Sequence, residues 1–200
     1  MKKSLLITIL ILLSAISLEA KRERGVIVTH DQTINAQLII PYNLFGSRPN
    51  YVVMQRGIRY IDEFGKKRRV KPADVKWFEF ESNGKVNKMV SMRNKPGSDL
   101  ILGIKKNYFV LELVDGNVKL YRMLYEEKNF DSDTFESEHQ RFILERDGVL
   151  KVVNPINFKR DMSAYFGGYR ELAQKIEDRD YRYSDLEHIV KEYNKWVIEQ

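Results

Sequence analysis

Residues 141–166 read RFILERDGVLKVVNPINFKRDMSAYF, and this stretch decides the fold. Before Asn154-Pro155, short apolar runs flank an Asp-Gly dipeptide, a pattern typical of a β-hairpin with a tight turn. After this pair, Phe158, Met162 and Phe166 recur at helical spacing. A run of strands followed by helices predicts an α+β protein rather than alternating βα units.

Dipeptides that favour two-residue turns predict three hairpins, centred on Asn83-Gly84, Asp115-Gly116 and Asp147-Gly148. A two-residue loop fixes which residues face each other across a hairpin. In the second hairpin, Glu112 is therefore expected opposite Lys119. On the other face, Leu111 is expected opposite Leu120, so opposite charges pair on one side and apolar residues on the other.

Four further strands are expected at 25–29, 34–40, 51–55 and 58–61. Together these runs predict about nine antiparallel strands, arranged as a sandwich or a rolled barrel. The tail is expected to add a layer of three short helices, the last of which begins at the capping box Ser184-Asp185-Leu186-Glu187. We divide the chain into a signal peptide at 1–20, a β-rich domain at 21–153 and a helical segment at 154–200, packed on or beside the sheet.

The N-terminal residues 1–20 resemble a secretory signal peptide, in which two lysines precede an apolar run over 5–13. Cleavage fits after Ser17 or after Ala20, and we favour Ala20. The alternative is an uncleaved anchor, but the apolar run is shorter than the roughly 20 residues that a spanning helix needs. We expect an exported protein, periplasmic or associated with the outer membrane.

The composition excludes several classes of site. The 200 residues include 34 Lys+Arg, 28 Asp+Glu, 3 His and no Cys, for a formal net charge of +6. Without Cys there is no disulfide, no thiolate metal site, no catalytic thiol and no lipoprotein anchor. The histidines lie far apart, and neither a Gly-x-Ser-x-Gly motif nor a phosphate-binding glycine loop is present. We expect no cofactor, no metal and no enzymatic activity; a hydrolase that uses two converging carboxylates is the less favoured alternative.

Lys66, Lys67, Arg68 and Arg69 form the most concentrated charge in the chain, on a turn expected to lead into a strand. Such a run can bind anionic lipid or acidic polysaccharide. It can also be a solvated face or a guard on an edge strand, because lysines discourage pairing between sheets. Both interpretations stay open at this point. Nucleic acid is not an expected partner of an exported protein.

Several motifs together resemble a family of exported, uncharacterised proteins of Bacteroidota. The matching segments are Gly25–Thr29, Asp31, Thr33-Ile34, Pro72–Phe78, Lys119–Tyr121, Phe166, Leu172, Ile176, Asp185-Leu186, Ile189-Val190 and Tyr193-Asn194. This chain departs from the family in lacking a Cys near Gly167-Gly168, and in having Asn35-Ala36 where relatives often have Gly. The resemblance implies an envelope location and a β-rich body with a helical tail, and it implies no catalytic residues.

Two kinds of function are consistent with these features. The first is a non-enzymatic envelope protein that acts by binding, either as an accessory to a protein complex or at the inner face of the outer membrane. The second is a carrier that holds a lipid or another apolar ligand against a curved sheet. Residues expected to line such a site are Phe78, Phe80, Leu111 and Leu120. The oligomeric state is not predicted.

Overall fold

A computed structural model describes residues 20–43, 46–94, 106–127 and 137–200. The strands are β1 (Ala20–Thr29), β2 (Thr33–Pro41), β3 (Ile58–Ile61), β4 (Lys67–Val70), β5 (Val75–Ser82), β6 (Lys85–Arg93), β7 (Asn107–Val114), β8 (Val118–Glu127), β9 (Ser137–Arg146) and β10 (Val149–Val152). The helices are α1 (Tyr51–Met54), α2 (Phe158–Tyr165), α3 (Arg170–Glu177) and α4 (Leu186–Ile198), with short 3-10 turns at Pro72–Asp74 and Tyr183–Asp185.

The strands form one open antiparallel sheet in the order β10-β9-β8-β7-β6-β5-β1-β2-β3-β4. The predicted α+β class, an antiparallel sheet followed by C-terminal helices, is therefore confirmed. The predicted strand at 51–55 is wrong, because these residues form α1. The side chain of Asn50 caps this helix by accepting a hydrogen bond from the Val53 N–H at 3.1 Å, and Met54 is fully buried.

The chain divides into two compact units, with the boundary between Val86 and Asn87. The first unit contains β1 to β5 and α1. One face of its strands is buried, and the side chains that fill this core include Ile27, Leu38, Ile40, Ile58, Phe78 and Phe80. The opposite face is mostly polar, as period-two alternation on a half-buried sheet requires.

The second unit contains β7 to β10 and the three C-terminal helices. The helices pack on the sheet through one apolar cluster, in which Leu120 and Leu144 from the strands meet Met162, Phe166 and Ile189 from the helices. All five are fully buried. The apolar stripes of the tail therefore find their partner surface within this unit.

The first and third predicted turns have the expected backbone. Asn83 and Gly84 have φ of 54° and 69°, and Asp147 and Gly148 have φ of 51° and 75°, as a type I′ turn requires at both central positions. The third hairpin also has the expected register, with Val149 opposite Arg146.

The predicted register of the second hairpin is wrong. Glu112 lies opposite Tyr121, and the register shifts by a bulge before Val114. Glu112 instead forms an ion pair with Lys88 at 2.8 Å. The physical reason is a tertiary contact: Asn194 of α4 hydrogen-bonds both backbone groups of Val118 at 2.8 Å and thereby fixes where β8 begins.

The predicted capping box at Ser184 is also wrong. Helix α4 begins one residue after Asp185, which is the N-cap but makes no side-chain bond to the helix. Its carboxylate accepts the Arg182 N–H at 2.8 Å and closes the preceding 3-10 turn. Ser184 lies within that turn, so it cannot cap the helix.

Candidate binding face on the first unit

The basic run 66–69 lies at the edge of the sheet. Lys66 ends the turn after β3, and the next three residues belong to β4, the last strand in the sheet order. Because side chains alternate along a strand, Lys67 and Arg69 share one face and Arg68 lies on the other. The structure therefore separates residues that are contiguous in the sequence.

Arg68 is held by an acidic partner. Its Nε donates to Asp62 Oδ2 at 2.9 Å, and its side chain is 55% exposed. The hydrogen bond from Arg68, together with that from the Lys66 backbone, lowers the pKa of Asp62 below its usual value. Arg68 and Asp62 therefore stabilise the turn between β3 and β4, and the charge of Arg68 is offset within the unit.

Strand pairing adds three arginines to the face that carries Lys67 and Arg69. Arg59 of β3 lies directly opposite Arg69. On the other side of β3, Arg59 faces Ile39, and Ile39 in turn faces Arg22 of β1. These four side chains form one row across four strands, which are about 4.8 Å apart.

The neighbouring row has the same character. It runs from Arg24 through Gln37 and Ile61 to Lys67. We define the basic face as the five cations of these two rows: Arg22, Arg24, Arg59, Lys67 and Arg69. All five are exposed.

None of these five cations has an ion pair or a side-chain hydrogen bond to another described residue. Like charges directly opposite each other on a sheet are destabilising, and the pair Arg59–Arg69 is such a case. The fold therefore gathers five cations on one face without a direct ion pair, although Glu79 and Glu81 line the same groove as Arg24. An external anion would relieve this repulsion.

Sequence reasoning found Lys67 and Arg69 but missed the other three members of the basic face. The predicted first strand began at Gly25, whereas β1 begins at Ala20. The signal was the spacing of Arg22 and Arg24, which places both on one face once the strand is extended. Arg59 could not be assigned without knowing that β3 pairs with both β2 and β4.

A groove of about 1010 Å³ on the first unit overlaps the basic face, because Arg24, Gln37 and Ile61 of the second row line it. Its lining also includes the acidic residues Asp62 and Glu63 after β3, and Glu79 and Glu81 on β5. The two glutamates are two residues apart on β5, so their Cα atoms are about 7 Å apart on the same side of the strand. The hydrolase alternative requires paired carboxylates of this kind, and it stays a prediction.

The apolar residues expected for a carrier are all buried. Phe78 and Phe80 are at most 1% exposed, and their rings stack with centroids 6.3 Å apart. Leu111 is 4% exposed. Leu120 is fully buried in the cluster that joins sheet and helices. The carrier function stays a prediction.

Neither a metal-ligating cluster nor a membrane-spanning helix is found in the described ranges. Over 20–43, 46–94, 106–127 and 137–200, no three His, Asp or Glu side chains are grouped so that they could hold a metal ion. His188 contacts Tyr181 Oη at 3.0 Å and lies 3.6 Å from Glu192. Within those same ranges, no helix combines the length and the apolar character needed to cross a bilayer.

The fold and the basic face define an α+β protein with an exposed cationic sheet surface. No protein family, curated protein or solved structure matches the chain.

Proposed function

We propose that this chain is an exported envelope protein that acts by binding, and that its basic face binds anionic groups of the envelope. The observation that carries the proposal is the convergence of five exposed, unpaired cations on one face of β1 to β4. The groups to be bound are phosphates or carboxylates presented in a dense array.

An edge-guarding role explains only part of this arrangement. Charges on β4 would discourage pairing at the sheet edge, where that strand lies. Arg59 lies on β3, where it is paired on both sides, with Ile39 of β2 and with Arg69 of β4, and has no free edge to protect. Its presence on the same face supports a surface for binding.

The chemistry of the row formed by Arg22, Ile39, Arg59 and Arg69 favours the binding of oxyanions. A guanidinium presents a planar set of donors that matches a phosphate or a carboxylate with two parallel hydrogen bonds. Arg59 and Arg69 lie on adjacent strands at opposite positions, so both side chains can reach one phosphate. Ile39, between Arg22 and Arg59, adds an apolar contact to the row.

The experiment measures binding to an anionic polymer at increasing salt. The purified protein is passed over immobilised polyphosphate, and its elution position is recorded in NaCl. We expect Arg59→Gln with Arg69→Gln to elute at clearly lower salt than the wild type, because two direct contacts are lost. Both side chains are exposed, so folding should be unaffected.

The control removes the same charge from the other unit. Lys159→Gln with Arg170→Gln replaces two exposed cations on α2 and α3. If binding depends on the basic face, the control elutes close to the wild type. Equal shifts in the two double variants would show that only net charge matters and would overturn the proposal.

A further inference from the structure

The hairpin formed by β3 and β4 combines strong positive charge with an exposed aromatic side chain. Residues 58–71 contain six basic and two acidic residues, a net charge of +4. Phe64 lies at the tip of this hairpin and is 76% exposed. A phenyl ring on this charged tip presents an apolar group and cationic groups side by side to a partner of mixed chemistry.

The turn holds Phe64 in a defined position. Asp62 Oδ1 accepts the Phe64 N–H at 3.0 Å and the Lys66 N–H at 2.8 Å. The Gly65 N–H donates to the Asp62 carbonyl oxygen at 3.0 Å, and Gly65 has a φ of 75°, which favours glycine. Three bonds to one residue therefore fix the loop that presents the ring.

We propose that the β3–β4 hairpin docks the protein on a bilayer that contains anionic phospholipid. Phe64 enters the headgroup region, and Lys66 and Lys67 contact the lipid phosphates. This inference rests on the proposed function, because it names the anionic surface that the basic face meets. It adds a separate element, the apolar tip.

The presence of Phe64 next to Lys66 and Lys67 on one hairpin favours a lipid surface as the partner. A bilayer places an apolar layer directly beneath its phosphates, so one rigid loop can satisfy a phenyl ring and neighbouring ammonium groups together. An acidic polysaccharide presents anions without an apolar layer beneath them. A polysaccharide would therefore use the cations of the hairpin but would gain little from Phe64.

The experiment is co-sedimentation of the purified protein with vesicles of phosphatidylglycerol and phosphatidylcholine, with pure phosphatidylcholine vesicles as reference. We expect binding to the anionic vesicles only. Phe64→Ala should weaken it about tenfold, through lost apolar contact. Lys66→Gln with Lys67→Gln should weaken it about fivefold for each charge removed.

Ile156→Ala is the matched control, since it removes a side chain that is 89% exposed on the other unit. We expect it to bind vesicles like the wild type. Phe64→Trp should retain binding, and its added tryptophan emission should be quenched by brominated acyl chains. The inference would be overturned if Phe64→Ala bound anionic vesicles like the wild type, or if lipid bromine failed to quench the emission that Phe64→Trp adds.

The two proposals fail differently. Phe64→Ala should leave elution from polyphosphate unchanged, because the basic face is intact. If the wild type binds polyphosphate but not anionic vesicles, the docking inference is overturned and the proposed function stands. If it binds neither, both are overturned.

Discussion

At the scale of single residues, Asn194 shows how one side chain sets a strand boundary. It lies on α4, only 8% exposed, and pairs with both the N–H and the carbonyl of Val118 at 2.8 Å. At Val118, where β7 supplies no pairing partner, Asn194 thus takes the place of a strand on that side, while β9 pairs on the other side through Arg146. Gly116 lies directly beneath Asn194, with a φ of 149°, and a Cβ at that position would come within 2.5 Å of Asn194 Nδ2.

Asn194→Ala should destabilise the protein by about 2–4 kcal/mol, because it leaves two buried backbone groups without partners. The measurement is denaturant unfolding followed by circular dichroism. Lys195→Ala is the control at the next position, where the side chain is 77% exposed, and it should change stability by less than about 0.5 kcal/mol. Similar values for the two variants would contradict the role assigned to Asn194.

These contacts explain which turns could be predicted from the sequence. Asn83-Gly84 and Asp147-Gly148 adopt positive φ at both positions because that preference belongs to the dipeptide itself. Asp115-Gly116 has the same chemistry, yet its conformation is set by Asn194, a residue 76 positions from Val118. A local pattern contains no information about that contact.

At the scale of elements, the β3–β4 hairpin depends on the ionisation of Asp62. The Arg68 hydrogen bond and the backbone bond from Lys66 lower its pKa in the folded protein. When the pKa of a carboxyl is lower in the folded than in the unfolded protein, its charge stabilises the fold. This stabilisation is complete above the pKa of the unfolded state, about 3.9, and it is lost as the pH falls through the pKa of the folded state. The turn should therefore loosen only in acid.

Amide hydrogen exchange tests this pH dependence. The Phe64 and Lys66 amides, which donate to Asp62 Oδ1, should be protected at pH 6 and lose protection, relative to a free peptide, as pH falls below about 3.9. Asp62→Asn should remove the pH dependence, because the amide does not titrate. The Val118 amide, bound to Asn194, is the internal control. Loss of protection at all three amides together would indicate global unfolding instead.

Only two of the five residues of the basic face could be predicted from the sequence, because the face is formed by pairing between strands. The contiguous charge predicted residues 66–69, but in the sheet Arg68 lies on the opposite face from Arg69. The arginines at 22 and 59 join the site through register across β1, β2 and β3. Pairing between strands is non-local, so no window of sequence could have shown it. The α+β class, in contrast, follows from local periodicity along each segment.

At the scale of the whole molecule, the basic face lies next to the predicted export signal. Arg22 and Arg24 follow Ala20, the favoured cleavage site, and β1 itself begins at Ala20. Cleavage there would begin the mature chain at Lys21 and place a new α-amino group beside Arg22. Removal of the signal peptide would thus add positive charge at one end of the row Arg22, Ile39, Arg59 and Arg69, which we propose binds anions.

We therefore expect the protein isolated from the envelope of its host to have the mass of residues 21–200 and to begin at Lys21. Intact mass and N-terminal sequencing measure this directly. Ala20→Leu should block this cleavage, because the position requires a small residue, and Ser17 would then become the preferred site. Full-length protein in the host membrane fraction would contradict cleavage, and the basic face would then be tethered at a bilayer by the uncleaved segment.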